Sequence, residues 1–307
     1  MERNLILSIS DGYNYYNLAH FVESLARSEF QGHLCVFVGP MTKRDTVRQL
    51  EKANAEVIYY RNAFPFIDNP HPANFNTLPS PIHLWNFRHF LYYNYILWHE
   101  TEFDQIFLTD IRDVVFQRDP FSFDLSDSLN IAMEDRTTKI ANAYPNSDWI
   151  MNGYGPETLA EISQNMVSCA GTILGKTSVV KQYVHTLLTE ICTLKDAFGC
   201  ADQAAHNVLL HQGRLGAVRK FFNEDGPILT IGTVEQDSGF QFDAEGFVLN
   251  KAKQRPSIVH QYDRHPELAA QMDRVAFGGG LRKLYLQARY LIFFRRKYQE
   301  LLRVLNH

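Results

Sequence analysis

The feature that most constrains the fold of this chain is an alternation, in its first half, of short apolar runs with longer amphipathic stretches. The runs are typical of buried strands, and the stretches between them have the length and spacing of helices. Strands that alternate with helices form βαβ units, so we predict an α/β fold with a mainly parallel sheet flanked by helices. The predicted strands are Leu5–Ser10, Leu34–Gly39, Glu56–Tyr60, Gln105–Asp110 and Asn130–Glu134, and the helices are Tyr16–Ser28, Lys43–Ala53 and Ile82–Glu100.

The second half of the chain continues the pattern with shorter strands. Two stretches, Phe64–Pro81 and Thr137–Gly155, are rich in turn-forming residues and are predicted to be irregular loops. We expect one domain over residues 1–277, then a hinge at Gly278-Gly279-Gly280 and a last helix, Leu281–Leu305. The other predicted elements are strands at Thr172–Leu174, Ile228–Ile231 and Ile258–His260, and helices near Ser178–Lys195 and Ala201–Gln212.

Composition narrows the class of protein. The chain has 307 residues, 45% of them hydrophobic and 21% charged, which is typical of a soluble protein with a substantial core. A net charge of −4 argues against a nucleic-acid partner. The four cysteines form no CxxC pair, which favours a reduced, cytoplasmic protein without cysteine-bound zinc. The apolar run Leu5–Ile9 is too short for a signal peptide core or a membrane span.

The candidate chemistry is concentrated where one predicted strand ends. Asp110 closes the strand Gln105–Asp110, and Asp113 follows three residues later. Ligands of parallel α/β sheets bind beyond the carboxyl ends of the strands, so both carboxylates are expected at the edge of a site. Two such groups can hold a hard divalent cation, which in turn binds the oxygens of a diphosphate. A plain strand-ending turn also favours aspartate, and the spacing alone leaves both interpretations open.

A longer sequence match favours the metal site over the plain strand-ending turn. The segment Thr109-Asp-Ile-Arg-Asp-Val-Val-Phe-Gln-Arg-Asp-Pro-Phe121 resembles the aspartate motif and following strand of GT-A glycosyltransferases. Cys169-Ala-Gly-Thr-Ile-Leu-Gly175 is similar to the family's Asn-Ala-Gly strand. Asp202-Gln203, with Asn207, is similar to a helix start in retaining galactosyltransferases and glycogenin-like enzymes, and His260 stands where many such enzymes place a late histidine.

The resemblance covers most of residues 4–265 and implies both a fold and a reaction. The fold would be GT-A-like, with a Rossmann-like sheet. The reaction would move a sugar from a nucleotide diphosphate donor, most often a UDP-sugar, to a hydroxyl of a glycan or lipid-linked acceptor, as in polysaccharide biosynthesis. Retention of the anomeric configuration is implied by the Asp202-Gln203 helix start.

The same resemblance assigns roles to individual residues. Metal binding, to Mn²⁺ or Mg²⁺, would fall to Asp110, Asp113 and His260. Asp202 and Gln203 would face the anomeric centre or the acceptor hydroxyl. The donor would be bound by Ser10, Asp11, Gly12, Arg88, Arg112 and Gly171.

Ordinary structural roles remain open for several of these residues. Asp11 could cap the helix that follows it. Arg88 could face solvent on an amphipathic helix, Asp202 could be a helix-start residue, and His260 could be structural.

Two departures from the family pattern concern the metal and sugar sites. The usual motif is Asp-x-Asp, whereas Arg112 occupies the third position here and the second carboxylate comes one residue later. Either Asp113 replaces the missing ligand, or Arg112 stabilises the diphosphate directly and the metal is held more weakly. Cys169 stands where the family has asparagine, so a side-chain hydrogen bond to the sugar there is in doubt.

Two rival functions share the expected fold. A sugar-phosphate nucleotidyltransferase should carry a glycine-rich, basic loop after the first strand. The segment Ser10–Asn14 contains one glycine and no lysine or arginine, which counts against this rival. The other rival is a non-catalytic protein that binds sugar nucleotides or serves as a scaffold.

The last predicted helix differs from the rest of the chain in its charge. Residues 281–307 contain seven basic residues and one acidic residue, so this segment carries +6 and the rest of the chain −10. Its leucines fall mainly on one side of a helical projection and its basic residues on the other. The helix either packs its apolar side on the domain or contacts an anionic membrane peripherally.

Overall fold

The computed structural model describes residues 3–60, 83–194, 201–235 and 239–277. The predicted loop Phe64–Pro81, the glycine hinge and the helix Leu281–Leu305 lie outside these residues, as does the predicted domain boundary after residue 277. The strands are β1 Asn4–Ser10, β2 His33–Val38, β3 Glu56–Tyr59, β4 Gln105–Thr109, β5 Val114–Phe116, β6 Leu129–Met133, β7 Ser168–Lys176, β8 Val218–Phe221, β9 Ile228–Thr230, β10 Gln241–Phe242, β11 Val248–Leu249 and β12 Ile258–His260. The helices are α1 Tyr15–Arg27, α2 Arg44–Lys52, α3 Leu84–Trp98, α4 Asn146–Tyr154, α5 Pro156–Ile162, α6 Thr177–Thr193, α7 Ala201–His211 and α8 Pro266–Phe277.

The predicted α/β class with a mainly parallel sheet is confirmed. A seven-stranded sheet has the order β3-β2-β1-β4-β7-β6-β8. Neighbouring strands are parallel except around β7, which runs antiparallel to both β4 and β6. A smaller sheet has the strand order β5-β12-β9, and β10 pairs with β11.

Helices cover both faces of the large sheet, which explains why its central strands β1 and β4 are mainly apolar. On one face, Leu5 and Leu7 of β1 belong to a core that includes residues of α3, α6 and α7. On the other face, Ile6 packs into a core with residues of α1 and α2 and the end of α8. A strand buried on both faces needs apolar side chains at every position rather than at alternate ones.

The prediction for Thr137–Gly155 as an irregular loop is wrong. This stretch contains a 3-10 turn at Ile140–Asn142 and the helix α4. Asn, Ser and Asp favour turns, but they also favour the first turn of a helix, where Asp148 lies here. The helices α5 and α8 were not predicted, although each has a proline at its start, a position that proline favours.

Within the described residues, no helix combines the length and apolar character needed to cross a membrane.

Candidate functional site

Strand register brings the central carboxylates and the late histidine together. The pairing of β4 with β7 places Gly171 beside Asp110, whose backbone N–H donates to the Gly171 carbonyl over 3.0 Å. The antiparallel pairing of β5 with β12 sets Val114 opposite His260 and so brings His260 next to Asp113. Residues 110 and 260, far apart in the chain, therefore meet at one edge of the fold.

Asp110, Asp113 and His260 form a compact cluster in which one ligand atom from each lies within 4.8 Å of the others. His260 Nε2 is 3.5 Å from Asp110 Oδ2 and 3.7 Å from Asp113 Oδ1. These distances exceed those of good N–H···O hydrogen bonds.

The histidine provides the test of whether this cluster suits a metal ion. His260 is fully buried, and its Nε2 has no hydrogen-bond partner. A buried polar atom left without a partner costs free energy, and native proteins rarely tolerate one without a reason. Two carboxylate oxygens and an imidazole nitrogen that face one another fit a divalent cation, so the residues present suit the predicted metal.

Each carboxylate of the cluster is held by an arginine through its other oxygen. Arg88 donates to Asp110 Oδ1, which leaves Oδ2 toward His260. Arg112 donates to Asp113 Oδ2 over 3.4 Å, which leaves Oδ1 toward His260. Arg112 also donates to Asp263. Outer contacts of this kind orient metal-binding groups and fix which lone pairs they present.

Gly171 leaves the room that the cluster needs. A Cβ at this position would lie 2.4 Å from Asp110 Oδ2 and 2.8 Å from His260 Cε1. Two residues earlier, Cys169 Sγ lies 3.7 Å from His260 Nδ1. The sulfur therefore contacts the far side of the imidazole and helps to direct Nε2 toward the carboxylates.

The electrostatics of the cluster follow from burial and charge together. Burial opposes ionisation of Asp110, but Arg88 and His260 outweigh it and lower the pKa of this carboxyl. Burial, with the nearby Asp110 charge, raises the pKa of Asp113 against the opposing effect of His260. Burial alone would lower the pKa of His260, but Cys169 and the two carboxylates reverse this and raise it. The two carboxylates therefore favour a positive charge at the His260 imidazole.

Arg88 connects this cluster to the start of α7. Its Nη2 donates to Asp202 Oδ2 over 2.9 Å, and His89 Nε2 lies 3.1 Å from the same oxygen. Asp202 is only 2% exposed, and its backbone N–H donates to Asn86 Oδ1 over 2.9 Å. Burial raises the pKa of Asp202, but Arg88 and His89 more than compensate, and the net pKa is lowered. Asp202 is therefore a buried carboxylate whose charged form is stabilised mainly by Arg88.

Gln203 is held rigidly beside Asp202. Its Oε1 accepts from the Ala170 N–H over 2.8 Å, and its Nε2 donates to Asn146 Oδ1 over 3.0 Å and to the Ser168 carbonyl over 2.8 Å. These bonds tie α7 to β7 and α4, so the side chain of Gln203 keeps one orientation at the site.

At the end of β1, the predicted donor-binding residues separate into two groups. Asp11 accepts from the Tyr60 hydroxyl over 2.8 Å and from the Met41 N–H over 3.3 Å. Gly12 has φ +73°, a conformation that favours glycine. Ser10 is fully buried within β1 and does not reach the cavity that Asp11 and Gly12 line.

A cavity of about 530 Å³ collects most of the predicted site. The predicted residues that line it are Asp11, Gly12, Arg88, Asp110, Arg112, Asp113, Gly171, Asp202 and Gln203. His260 lies behind this lining, in contact with Asp110 and Asp113. Another cavity, of about 660 Å³ and bordered by residues of β8 and β11, contains none of the predicted site residues.

Two charged residues of this cavity, Glu134 and Arg264, were not predicted from the sequence. Glu134 follows β6 directly, is 4% exposed, and has an Oε2 without a hydrogen-bond partner. Burial raises the pKa of its carboxyl. The only signal in the sequence was its place at the end of a predicted strand, where the carboxyl ends of parallel strands line a site.

No protein-family model matches the sequence, and no curated protein matches it. Solved structures with a similar fold include the bifunctional glycosyltransferase WbbM without ligands, with a TM-score of 0.52 and 11% identity over 90% of this chain and 50% of that one. This chain thus spans about half the length of WbbM. The galactosyltransferase LgtC in complex with donor and acceptor sugar analogues has a TM-score of 0.47 and 15% identity, over 89% of this chain and 95% of that one. An active-site mutant of LgtC gives 0.47 and 14%, over 83% and 86%.

At these identities the likeness concerns the fold alone. The chain has a GT-A-type glycosyltransferase fold, as the sequence predicted.

Proposed function

We propose that this protein is a metal-dependent glycosyltransferase that moves a sugar from a nucleotide diphosphate donor, preferably a UDP-sugar, to a hydroxyl of a glycan or lipid-linked acceptor. The proposal rests on the cluster of Asp110, Asp113 and His260 beside a cavity of about 530 Å³. In this cluster the buried Nε2 of His260 has no hydrogen-bond partner. Its chemistry matches what a departing diphosphate requires, a cation with arginines close to it.

The donor's diphosphate would bind at the carboxylate cluster. Asp110, Asp113 and His260 would hold the cation, which when bound neutralises the negative charge that develops on the leaving nucleoside diphosphate. An imidazole ligand favours Mn²⁺ over Mg²⁺, because Mg²⁺ prefers oxygen ligands throughout.

Arg112 is better placed than Arg88 to meet phosphate oxygens directly. Its side chain is 42% exposed and lines the cavity, whereas that of Arg88 is 9% exposed and committed to Asp110 and Asp202. A guanidinium binds phosphate through two parallel N–H donors. Arg112 would exchange its contact with Asp263 for such a contact, while Arg88 would keep the carboxylates in place.

The sugar would lie between the cluster and the start of α7, against Gly171, Asp202 and Gln203. The bond from the anomeric carbon to the diphosphate breaks with its electron pair on the diphosphate, and the acceptor hydroxyl oxygen bonds to that carbon. Its proton would pass to the departing diphosphate. Transfer on the leaving-group side retains the anomeric configuration, and a proton NMR spectrum of the first product formed would show it. An inverted product would rule out this geometry.

A UDP-release assay over a panel of nucleotide sugars tests the proposal. We expect release that requires Mn²⁺ or Mg²⁺ and that falls on the order of a hundredfold in Asp110→Asn and Asp113→Asn, since each removes a charge that stabilises the leaving group. Release of pyrophosphate from a nucleoside triphosphate and a sugar phosphate would instead identify a nucleotidyltransferase. Nucleotide binding without turnover on any donor would identify a non-catalytic protein.

A peripheral membrane role is proposed for residues 281–307, which lie outside the described part of the chain. A basic residue near an anionic lipid surface contributes about 1 kcal/mol, so this +6 segment would hold a cytoplasmic enzyme near a lipid-linked acceptor. Binding to vesicles with anionic lipid should weaken with salt and disappear on truncation after residue 280, while UDP release persists. Absence of vesicle binding at low salt would reject this role.

A further inference from the structure

The cavity of about 660 Å³ lies apart from the carboxylate cluster. The loop after β5, the strand β8 and the turn between β11 and β12 border it, and its described lining shares no residue with that of the cavity beside the cluster. Ser257 lines it and directly precedes β12, the strand that ends at His260. At about 3.3 Å per residue, these two residues are about 10 Å apart along the strand. A ligand in this cavity would therefore leave the carboxylate cluster accessible.

Basic side chains predominate among the charged groups of this cavity, which we call the basic cavity. The described lining has four basic residues, Arg118, Arg219, Lys253 and Arg255, and two acidic residues, Asp225 and Asp243. It therefore carries a net charge of +2 in a chain whose net charge is −4.

Two of the four basic residues are already paired. Arg255 donates to Asp243 Oδ2 through Nε over 2.8 Å and through Nη2 over 2.6 Å, and it lies 3.3 Å from Glu245. Arg219 Nη1 donates to the Asp124 carbonyl over 2.8 Å and to Asp124 Oδ2 over 3.2 Å. These two arginines are therefore fixed parts of the cavity wall.

The other two basic residues are uncommitted. Within the described part of the chain, the side chains of Arg118 and Lys253 have no ion pair and no hydrogen bond. Both are exposed to solvent, and they come from two different loops. Since Asp243 is paired with Arg255, Asp225 is the acidic lining residue left to offset them. An anion in the cavity would thus meet two cations that need not give up another partner.

Lys253 is held in the wall by a tightly closed loop. Its φ is +60°, a conformation that glycine adopts readily and lysine rarely. Asn250, only 3% exposed, closes the loop, since its Oδ1 accepts from the Gln254 N–H over 2.9 Å and its Nδ2 donates to the Gly226 carbonyl over 3.3 Å. A lysine kept in a conformation that suits glycine indicates that its side chain has a role.

Hydroxyl groups and aromatic rings lie beside Arg118. Its backbone N–H donates to the Ser257 carbonyl over 3.4 Å, and the buried Ser257 Oγ lies 3.0 Å from Ser122 Oγ. Phe123 and Phe221 also line the cavity and pack edge to face, with ring centres 5.4 Å apart. The cavity thus offers charged donors, hydroxyls and apolar surface together.

This combination indicates the class of ligand. A phosphate group has three oxygens that accept from guanidinium, ammonium and hydroxyl donors. Phosphate alone would leave much of the cavity empty, because cavities of about 300–1,000 Å³ hold organic molecules. A neutral sugar would leave Arg118 and Lys253 without an anion, whereas the rings of Phe123 and Phe221 suit the organic part of a larger ligand.

We propose that the basic cavity binds an organic phosphate, a phosphate monoester on a body the size of a sugar or a nucleoside. Arg118 and Lys253 would bind the phosphate group, and Phe123 and Phe221 would contact the organic body. This inference does not rest on the proposed function, since the two cavities have separate linings.

Calorimetry without divalent cations tests this binding. Glucose 1-phosphate, glucose 6-phosphate, glycerol 3-phosphate and UMP are titrated into the full chain at low salt with EDTA, beside inorganic phosphate and glucose. We expect at least one organic phosphate to bind at least about tenfold more tightly than inorganic phosphate, and glucose not to bind. Arg118→Gln and Lys253→Gln should each weaken that affinity about tenfold while the circular dichroism spectrum stays native.

Two control variants locate the ligand. Lys220→Gln removes the same charge from an exposed position on β8 outside the cavity lining, and Arg112→Gln removes a cation of the other cavity. Both should leave the affinity unchanged. An equal loss in Lys220→Gln would reduce the effect to general charge attraction, and a loss in Arg112→Gln but not in Arg118→Gln would place the ligand in the other cavity. Either result would refute the proposal.

The ligand panel gives two further ways to overturn it. If none of the organic phosphates binds at about 10 mM, a concentration that reveals even millimolar affinities, the site does not exist. Inorganic phosphate that binds as tightly as every organic phosphate would show that the organic body is not recognised. Neither outcome affects UDP release, which tests the proposed function separately.

Discussion

Arg88→Met should destabilise this protein strongly, because Arg88 is the counter-ion of two carboxylates. It is 8% exposed and contacts Asp110 and Asp202, the second of which is only 2% exposed. Methionine has a similar length but no charge, so the substitution leaves Asp202 buried and without its main counter-ion. Removal of one partner of a buried ion pair costs about 3–5 kcal/mol. The free energy of unfolding of a domain is about 5–15 kcal/mol, so this is a large share of it.

The measurement is thermal unfolding followed by circular dichroism. A loss of 3–5 kcal/mol lowers the Tm by roughly 5–8 °C in a protein of this length. The matched control is Arg214→Met, since Arg214 also pairs with a carboxylate through two contacts, 3.0 and 2.5 Å long, but is about half exposed. An exposed pair contributes about 0–1 kcal/mol, so the control should barely change the Tm.

The loss of Tm in Arg88→Met should depend on pH. In the wild type, Arg88 helps to lower the pKa of Asp202, so this carboxylate stabilises the fold above its unfolded pKa and loses that contribution as the pH falls. In Arg88→Met, only His89 and the Gln203 N–H still oppose the effect of burial, so protonation of Asp202 becomes more favourable. The difference in Tm should therefore shrink between pH 7 and pH 4, and Asp202→Asn in the same chain should restore part of the lost stability. A Tm loss no greater than that of Arg214→Met, or one independent of pH, would refute this reasoning.

Three further substitutions probe the same site. Gly171→Ala should disturb the carboxylate cluster and cost about 1–3 kcal/mol of stability, because its Cβ would lie 2.4 Å from an Asp110 oxygen. The control is Gly153→Ala, whose Cβ meets its nearest neighbour at 3.7 Å and should leave the Tm unchanged or higher. Equal effects of the two substitutions in thermal melts would contradict this. At pH values above 7, Glu134→Gln should raise the Tm, because burial raises the pKa of Glu134 and so disfavours its charged form; the gain should disappear at low pH. A difference in Tm that does not change with pH would count against a desolvated carboxylate. His260→Ala should weaken Mn²⁺ binding in calorimetry with UDP present while the far-ultraviolet spectrum stays native; an unchanged affinity would make His260 a structural residue.

Much of the fold could be predicted because burial on both faces leaves a simple mark on the strands. The apolar runs of β1, β2 and β4 are short and lie between helical stretches, and these strands were located to within a residue at their ends. The proximity of Asp110, Asp113 and His260 could be predicted from the family resemblance, because these residues adjoin strand ends that two antiparallel registers bring together.

Other features depend on contacts that no local pattern records. Helix α4 begins among turn-forming residues, and only its packing against α7 distinguishes it from a loop. The burial of Arg88 between two carboxylates cannot be deduced from its place on an aromatic-rich helix. Glu134 looks like any polar residue after a strand until the cavity around it is known.

We propose that Asp110, Asp113 and His260 form a divalent metal site for a nucleotide diphosphate. Electron paramagnetic resonance of free Mn²⁺, titrated with protein in the presence of UDP, tests it most directly. We expect one tight site in the wild type and an affinity lower by at least about tenfold in Asp113→Asn, with an unchanged circular dichroism spectrum. Equal Mn²⁺ affinity in the two proteins, or no effect of UDP on that affinity, would contradict the account.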